Sequence, residues 1–296
     1  MKKVFIGMDG GGTKTHVVAE DVKQRRFEKT YGGSNYHVIG LTQFKDLMTL
    51  ILNDIMSFYQ VTSTALTVVL GGAGIDTEED IALLKQAVHS LQTDFTFVND
   101  ADVALISNHE GLHGGVLISG TGSIGLGYKD GKRFRVGGWG HLVGDEGSGY
   151  ALGREVLKLC THMIDGRADK DFVLEDVLLS LKVQEHQLSD FINHPNTTKE
   201  MVAALVPTMM KHRMEDGVKV IIQKCILDLY EHLSVLNENM DDGESIALVG
   251  GLMSQTSIGE ELIRYAKAKG IQRKVFVSEV SPVEGALLMA KRGGLS

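Results

Sequence analysis

Cysteine is nearly absent: Cys160 and Cys225 are the only two among 296 residues. Two thiols cannot build a disulfide framework or a four-cysteine metal site, and each lies among apolar residues at helical spacing, the setting of a core thiol. The three prolines, Pro195, Pro207 and Pro282, exclude a proline-rich linker between domains. No run approaches the roughly 18 apolar residues of a membrane span. The apolar stretch before Asp9 is only about five or six residues, too short for the core of a signal peptide, so a cytoplasmic protein with no membrane partner is expected. Lys/Arg runs stop at about two or three, and 30 basic against 38 acidic residues give a net charge of −8. Such a chain offers no basic stripe to a nucleic acid backbone.

What is present is a globular composition, 43% apolar and 23% charged, with ample core. At roughly 100 to 200 residues per domain, the length fits two domains. Glycine is in excess, 35 residues against a usual share of about 7%. It clusters over 10–12, 71–74, 114–127, 137–149 and 250–251. Glycines just after short apolar runs mark places where backbone turns tightly or approaches a ligand.

The apolar pattern predicts strands over 4–8, 16–20 and about 26–31. A helix follows, in which Leu41, Phe44, Leu47, Met48, Ile51, Leu52, Ile55 and Phe58 recur at three and four residues. Next come a strand over 66–70, a helix over 78–91, a strand over 95–98 and a helix over 101–109. From Gly115 the same order begins again, with strands over 116–119, 123–128 and 133–136 and Asp130-Gly131 turning the last hairpin. Helices over about 147–240, a strand over 245–249, a helix from about 258, a strand over 274–277 and a helix after Pro282 complete the chain. A repeated order of elements implies two duplicated α/β domains, 1–112 and 113–296, with a ligand cleft between them. The second carries a helical insertion over about 155–240, whose His186, His194 and His212 form no chemical constellation. The closing helix, about 282–293, is free to pack back on the first domain.

Asp9-Gly10-Gly11-Gly12-Thr13-Lys14-Thr15 ends the first strand and opens the second. Such a turn aims several backbone N–H groups at one point, as a phosphate requires, and a carboxylate at its rim can hold hydrated Mg²⁺. It is not a Walker A loop, because Thr13 stands where lysine is required and a strand follows instead of a helix. An ordinary tight hairpin would use the same residues. Gly120-Thr121-Gly122-Ser123-Ile124-Gly125 matches the dinucleotide fingerprint in spacing but likewise runs into a hairpin. Two Gly/Thr hairpins, each after the first strand of its half, suit a nucleoside triphosphate gripped from both sides. Asn99-Asp100-Ala101-Asp102 follows a strand and starts a helix, where a carboxylate can take a proton from a hydroxyl or simply cap the helix. Trp139 lies among glycines beside Asp145 and Glu146, and a flat apolar face next to carboxylates suits a sugar. Those two acids could equally cap the helix that follows. Gly250-Gly251 ends a strand, where adenine could lie on bare backbone or the chain could merely turn.

Taken in order, DGGGTKT, GGSNYH, VNDAD, SGTGS, GGWGHLVGDEGSG and ALVGGL resemble the BadF/BadG/BcrA/BcrD ATPase family, in particular its N-acetylglucosamine kinase-like members, within the actin, hexokinase and heat-shock chaperone ATPase superfamily. GWG-x-x-x-GDEGS is the most specific block. The resemblance implies two ribonuclease H-like domains around an ATP cleft. It assigns Asp9 to Mg²⁺ through water. Gly11, Gly12, Thr13 and Lys14, with Gly120, Thr121, Gly122 and Ser123, go to the phosphates, and Gly250 and Gly251 to adenosine. Asp100 is the implied general base; Asn35, Thr121, Gly138, Trp139, Asp145 and Gly149 line the sugar pocket with it. Gly149 departs from the alanine that relatives often carry near the sugar's acyl group.

ATP and Mg²⁺ are thus the implied cofactors, a small-molecule amino sugar the implied substrate and a homodimer the implied assembly. The implied reaction phosphorylates a hydroxyl of N-acetylglucosamine to the 6-phosphate, with glucosamine and N-acetylmuramic acid left open. An activator of this family that passes electrons from an iron–sulfur cluster to a partner reductase would need paired cysteines near the hinge, which Cys160 and Cys225 do not supply.

Overall fold

The computed structural model describes residues 3–72, 74–75, 77–109, 111 and 113–293. It begins β1 (Val4–Gly10), β2 (Lys14–Asp21), β3 (Arg26–Gly32), α1 (Tyr36–Tyr59), β4 (Leu66–Gly72), α2 (Glu78–Val88), β5 (Asp94–Asn99) and α3 (Asp100–His109). The strands form one sheet in the order β3-β2-β1-β4-β5. β1, β4 and β5 run parallel, while the two hairpin pairings are antiparallel. β1 is central, so both its faces are covered: Val4, Ile6 and Met8 enter the core under α1, while Phe5 faces the opposite side. The edge strand β3 is mostly exposed and charged, which blunts it against pairing with another chain. Phe44, Met48, Ile51, Leu52, Ile55 and Tyr59 make the buried stripe of α1, and the Tyr59 hydroxyl donates to the Ala19 carbonyl at 2.8 Å. Gly40, at φ 79°, breaks the first turn of this helix, which is why the apolar spacing starts only at Leu41.

A second set follows: β6 (Gly115–Ser119), β7 (Ser123–Lys129), β8 (Lys132–Gly137), α4 (Gly149–Ile164), α5 (Phe172–Leu181), α6 (Leu188–Asn193), α7 (Lys199–Ala203), α8 (Val206–Lys211), α9 (Asp216–Asn239), β9 (Ile246–Val249), α10 (Gly251–Ser254), α11 (Ile258–Ala268) and β10 (Val275–Val277). Its sheet runs β10-β9-β6-β7-β8. Read from the other edge, this is the first sheet's order, with the same parallel and antiparallel pairings. Asp130 and Gly131 take φ 50° and 70° in the β7–β8 turn, as an Asp-Gly hairpin should. The inserted helices pack on one apolar core that holds both cysteines, each a free thiol, and burial pushes both thiols up to about 12.

α12 (Pro282–Arg292) closes the chain. The chain divides into two units, one containing residues up to His113 and from Glu279 onward, the other Gly114–Ser278. In the first unit α12 and α3 cover the sheet face opposite α1, through Val69, Val98, Val103, Ile106, Ala286 and Met289. The approach is backbone to backbone: a Cβ at Gly7 would stand 2.4 Å from the Leu287 nitrogen, and one at Gly285 would stand 2.4 Å from the Val103 oxygen. Of the boundary expected near 110–114, Glu110 and Leu112 lie outside the described residues, as does Ala73 of the second glycine cluster. Among the described residues no helix is long and apolar enough to cross a membrane.

Candidate active site

In the first unit, β1, β4 and β5 end on the same side of the sheet, where open α/β sheets bind ligands. Asp9 pairs in register with Gly71 of β4, and Gly72 with Asn99 of β5. At about 4.8 Å per strand, β1 and β5 lie about 10 Å apart in the sheet, and Asp100 follows Asn99 directly at the end of β5. Asp9 is half-buried, and burial raises its carboxyl above the ordinary 3.8 against the downward pull of His16 and Lys14. Asp100 is the first residue of α3, but the cap is supplied by Asn99, whose Oδ1 accepts from the Ala101 amide at 2.9 Å.

Beyond Asp9 the chain turns through Gly11, Gly12 and Thr13, closed by the Gly11 amide donating to the Lys14 carbonyl at 2.9 Å. The loop after β3 clamps this turn. The Ser34 and Asn35 amides both donate to the Gly11 carbonyl, at 3.0 and 3.2 Å, and a Cβ on Gly33 would stand 2.1 Å from the Gly12 oxygen. The GGSN sequence thus locks the DGGGT sequence, leaving Gly12 and Thr13 exposed. Asn35 caps α1 by accepting from the His37 amide at 3.0 Å, and its amide nitrogen has no acceptor among the described residues. The Ser34 hydroxyl is buried with no partner among them.

In the second unit the β6–β7 turn is held from the far side of the glycine-rich loop. Gly149 donates to the Gly120 carbonyl at 2.7 Å, Tyr150 to the Thr121 carbonyl at 3.1 Å, and the Ser119 hydroxyl to the Gly147 carbonyl at 2.8 Å. Ser123, expected at phosphates, is buried and donates its hydroxyl to the Glu146 carbonyl at 2.7 Å, so that side chain serves the loop. Asp145 is buried, takes φ 58°, and lays its carboxylate 3.0–3.2 Å from where a Cβ of Gly122 would be. A non-glycine residue in this conformation stores strain, the kind a functional loop retains. Neither Asp145 nor Glu146 caps α4; Ser148 does, its Oγ accepting from the Ala151 amide at 3.1 Å. Gly138 rests on Ile124, and Trp139 is 68% exposed with the Arg135 guanidinium 4.2 Å from its ring centre.

Gly120, Thr121, Gly149 and Gly251 line one cavity of about 770 Å³. Gly250 abuts the Ser119 carbonyl, where a Cβ would come within 2.3 Å. Gly149, expected at a sugar's acyl group, lies on Gly120 in this cavity, with a Cβ position 2.9 Å from the Gly120 oxygen. The lining also includes Ala203, Val206, Pro207, Met210 and Arg213 from α7, α8 and the residues just after. The inserted helices, in which the sequence shows no chemical constellation, thus supply part of the lining of this cavity. They also floor the loop: His232 of α9 sits under Gly137 with its Nε2 3.9 Å from Glu146 Oε2, and Cys225 lies 3.6 Å from the Gly147 carbonyl. Nothing in the local sequence marks these contacts, because they arise from helix packing.

Two five-stranded sheets of one topology, each with a Gly/Thr hairpin at the end of its first strand, define an α/β ATPase fold of the actin-like and sugar-kinase kind. The chain belongs to the BadF/BadG/BcrA/BcrD ATPase family, whose model matches residues 6–290. It is 35% identical to the N-acetylmuramic acid/N-acetylglucosamine kinase of Clostridium acetobutylicum and 31% identical to the N-acetyl-D-glucosamine kinase of Dictyostelium discoideum, each over 98% of both chains. In fold it is similar to the solved structure of a Chromobacterium violaceum protein provisionally called an N-acetylglucosamine kinase, with a TM-score of 0.78, 24% identity and coverage of 97% of this chain and 99% of that one.

Proposed function

We propose that the chain is an ATP-dependent kinase that phosphorylates a hydroxyl of an amino sugar, N-acetylglucosamine foremost, to the 6-phosphate. The observation that carries this reading is the placement of Asp100 at the carboxyl edge of the same sheet as Asp9, two strands away. A carboxylate so placed accepts the proton of a sugar hydroxyl as its oxygen attacks the γ-phosphate. The amides of Gly12 and Thr13, with Lys14, and those of Thr121 and Gly122 take phosphate oxygens, while the Gly11 and Gly120 amides close their turns on the Lys14 and Gly122 carbonyls. The cavity supports adenosine, with bare backbone at Gly251, next to Gly250, and an aliphatic lining at Ala203, Pro207 and Met210. Asn35, Gly138, Trp139 and Asp145 are assigned to the sugar.

Among the described residues no three acids, histidines or cysteines converge as a metal cluster. A lone carboxylate such as Asp9 still fits Mg²⁺, which keeps several waters and shares its remaining ligands with nucleotide phosphates. When bound there, the ion would neutralise charge on the transferring phosphoryl group. The reductase-activator alternative is disfavoured by Cys160 and Cys225, both buried with raised thiols and unsuited to hold a cluster. The test is ADP release from ATP and Mg²⁺ with N-acetylglucosamine, N-acetylmuramic acid, glucosamine and glucose. Stimulation by an N-acetylated amino sugar is expected; release that ignores every sugar would overturn the reading.

A further inference from the structure

The loop from Gly137 to Gly147 carries two residues assigned to the sugar, Trp139 and Asp145, and its crest is open to solvent, with Trp139, Leu142 and Val143 68%, 82% and 80% exposed. Both of its ends rest on α9. A Cβ on Gly147 would stand 2.4 Å from Leu229, and the Cys225 thiol lies 3.6 Å from the Gly147 carbonyl. A Cβ on Gly137 would stand 2.5 Å from His232 Nε2. Gly137, Gly138 and Gly147 take φ 69°, 70° and 71°. Glycine permits such backbone without imposing it, so the side chains beneath decide where the loop settles.

His232 is the polar member of this floor. It is 8% exposed, its Nδ1 is buried with no partner among the described residues, and its Nε2 stops 3.9 Å from Glu146 Oε2. A hydrogen bond between such atoms closes at about 2.7–3.2 Å. Buried polar groups are rarely kept without a bond, and the one missing here needs a shift of only about 1 Å by the half-exposed Glu146 side chain. Glu146 follows Asp145 directly, and its carbonyl already accepts from the Ser123 hydroxyl at 2.7 Å. We infer that His232 is a positioning residue for the sugar: donating from Nε2 to Glu146 and supporting Gly137, it fixes Asp145 and Trp139 in the arrangement that receives the ring. The inference rests on the amino-sugar kinase reading. His232 acts only through the loop, so it governs affinity for the sugar far more than affinity for the nucleotide.

Trp139 is the only tryptophan of the chain, so its fluorescence reports on the loop directly. The experiment titrates N-acetylglucosamine by that signal without nucleotide, and measures KM for sugar and for ATP, in the wild type, His232→Leu, His232→Gln, Glu146→Ala and the double variant His232→Leu/Glu146→Ala. His232→Leu fills the space without a donor; it should weaken sugar binding and raise the sugar KM by about tenfold or more, the effect of losing one hydrogen bond to a charged group. KM for ATP should stay within about threefold. His232→Gln keeps an N–H at similar reach and should recover most of the loss. Glu146→Ala should match His232→Leu, and the double variant should be no worse than either, since both remove the same bond. Glu146 is half exposed, so its variant carries the test if His232→Leu folds poorly. Equal losses on sugar and ATP, glutamine no better than leucine, additive losses in the double variant, or an undiminished sugar affinity in Glu146→Ala would each overturn the role. A wild type that phosphorylates no sugar, and whose fluorescence answers to none, would bring down the kinase reading itself and this role with it.

Discussion

Asp9 is costly where it stands. A carboxyl whose folded pKa is raised above 3.8 favours the fold while protonated. That contribution is complete below 3.8 and lost as pH rises through the raised value, so the charged form weighs against stability at neutral pH. Asp9→Asn should therefore melt above the wild type at pH 7 and coincide with it near pH 3, while its Mg²⁺-dependent ADP release falls by about tenfold or more. Thermal melts at the two pH values check the first half, and a variant less stable at pH 7 would contradict the cause assigned to the shift. Asp100 and Asp102 separate by role. Asp100→Asn should retain ATP binding and lose about 100-fold or more in kcat, the usual cost of removing a general base. Asp102→Asn should lose far less, and equal losses would mean that the base is misassigned.

At the scale of elements, the tightest tolerance lies where α12 crosses β1. Because the Leu287 nitrogen and the Val283 oxygen are backbone atoms, no rotamer change can make room for a methyl at Gly7. Gly7→Ala should cost about 1–3 kcal/mol or more, read as a lower urea midpoint at unchanged slope. A neutral result would mean that the helix can slide on the strand. This crossing was invisible in the sequence, where Gly7 looks like any small strand residue. The hairpins were legible because Asp-Gly and Gly/Thr turns report local backbone geometry, and α1 because its stripe repeats every three or four residues. The cavity wall at Ala203, Pro207 and Met210 was not, since short helices on a shared core leave no periodic trace. The glycines around Trp139 are plain in the sequence, whereas the stacking of Arg135 on it depends on β8 lying beside the loop.

For the molecule as a whole, the reading demands that ATP be spent on sugar and not on water. Transfer to a hydroxyl competes with hydrolysis unless the site excludes solvent when it is filled. ADP release without sugar should therefore run at a few percent or less of the stimulated rate, checked by coupled assay at saturating ATP. The first unit is also discontinuous in the chain, because α12 belongs to it. Its sheet is complete by Asn99 and α3 follows at once, but α12, the helix that crosses β1, begins only at Pro282. Pro282 follows His113 by 282 − 113 = 169 positions, about 10–30 s of translation at roughly 5–20 residues per second. During that interval the face of β1 around Phe5 and Gly7 has no lid. A ribosome-bound chain must keep that face from sticking to others, and a message truncated near its 3′ end yields a protein with every candidate site residue but an open core, a natural client for chaperones and proteases.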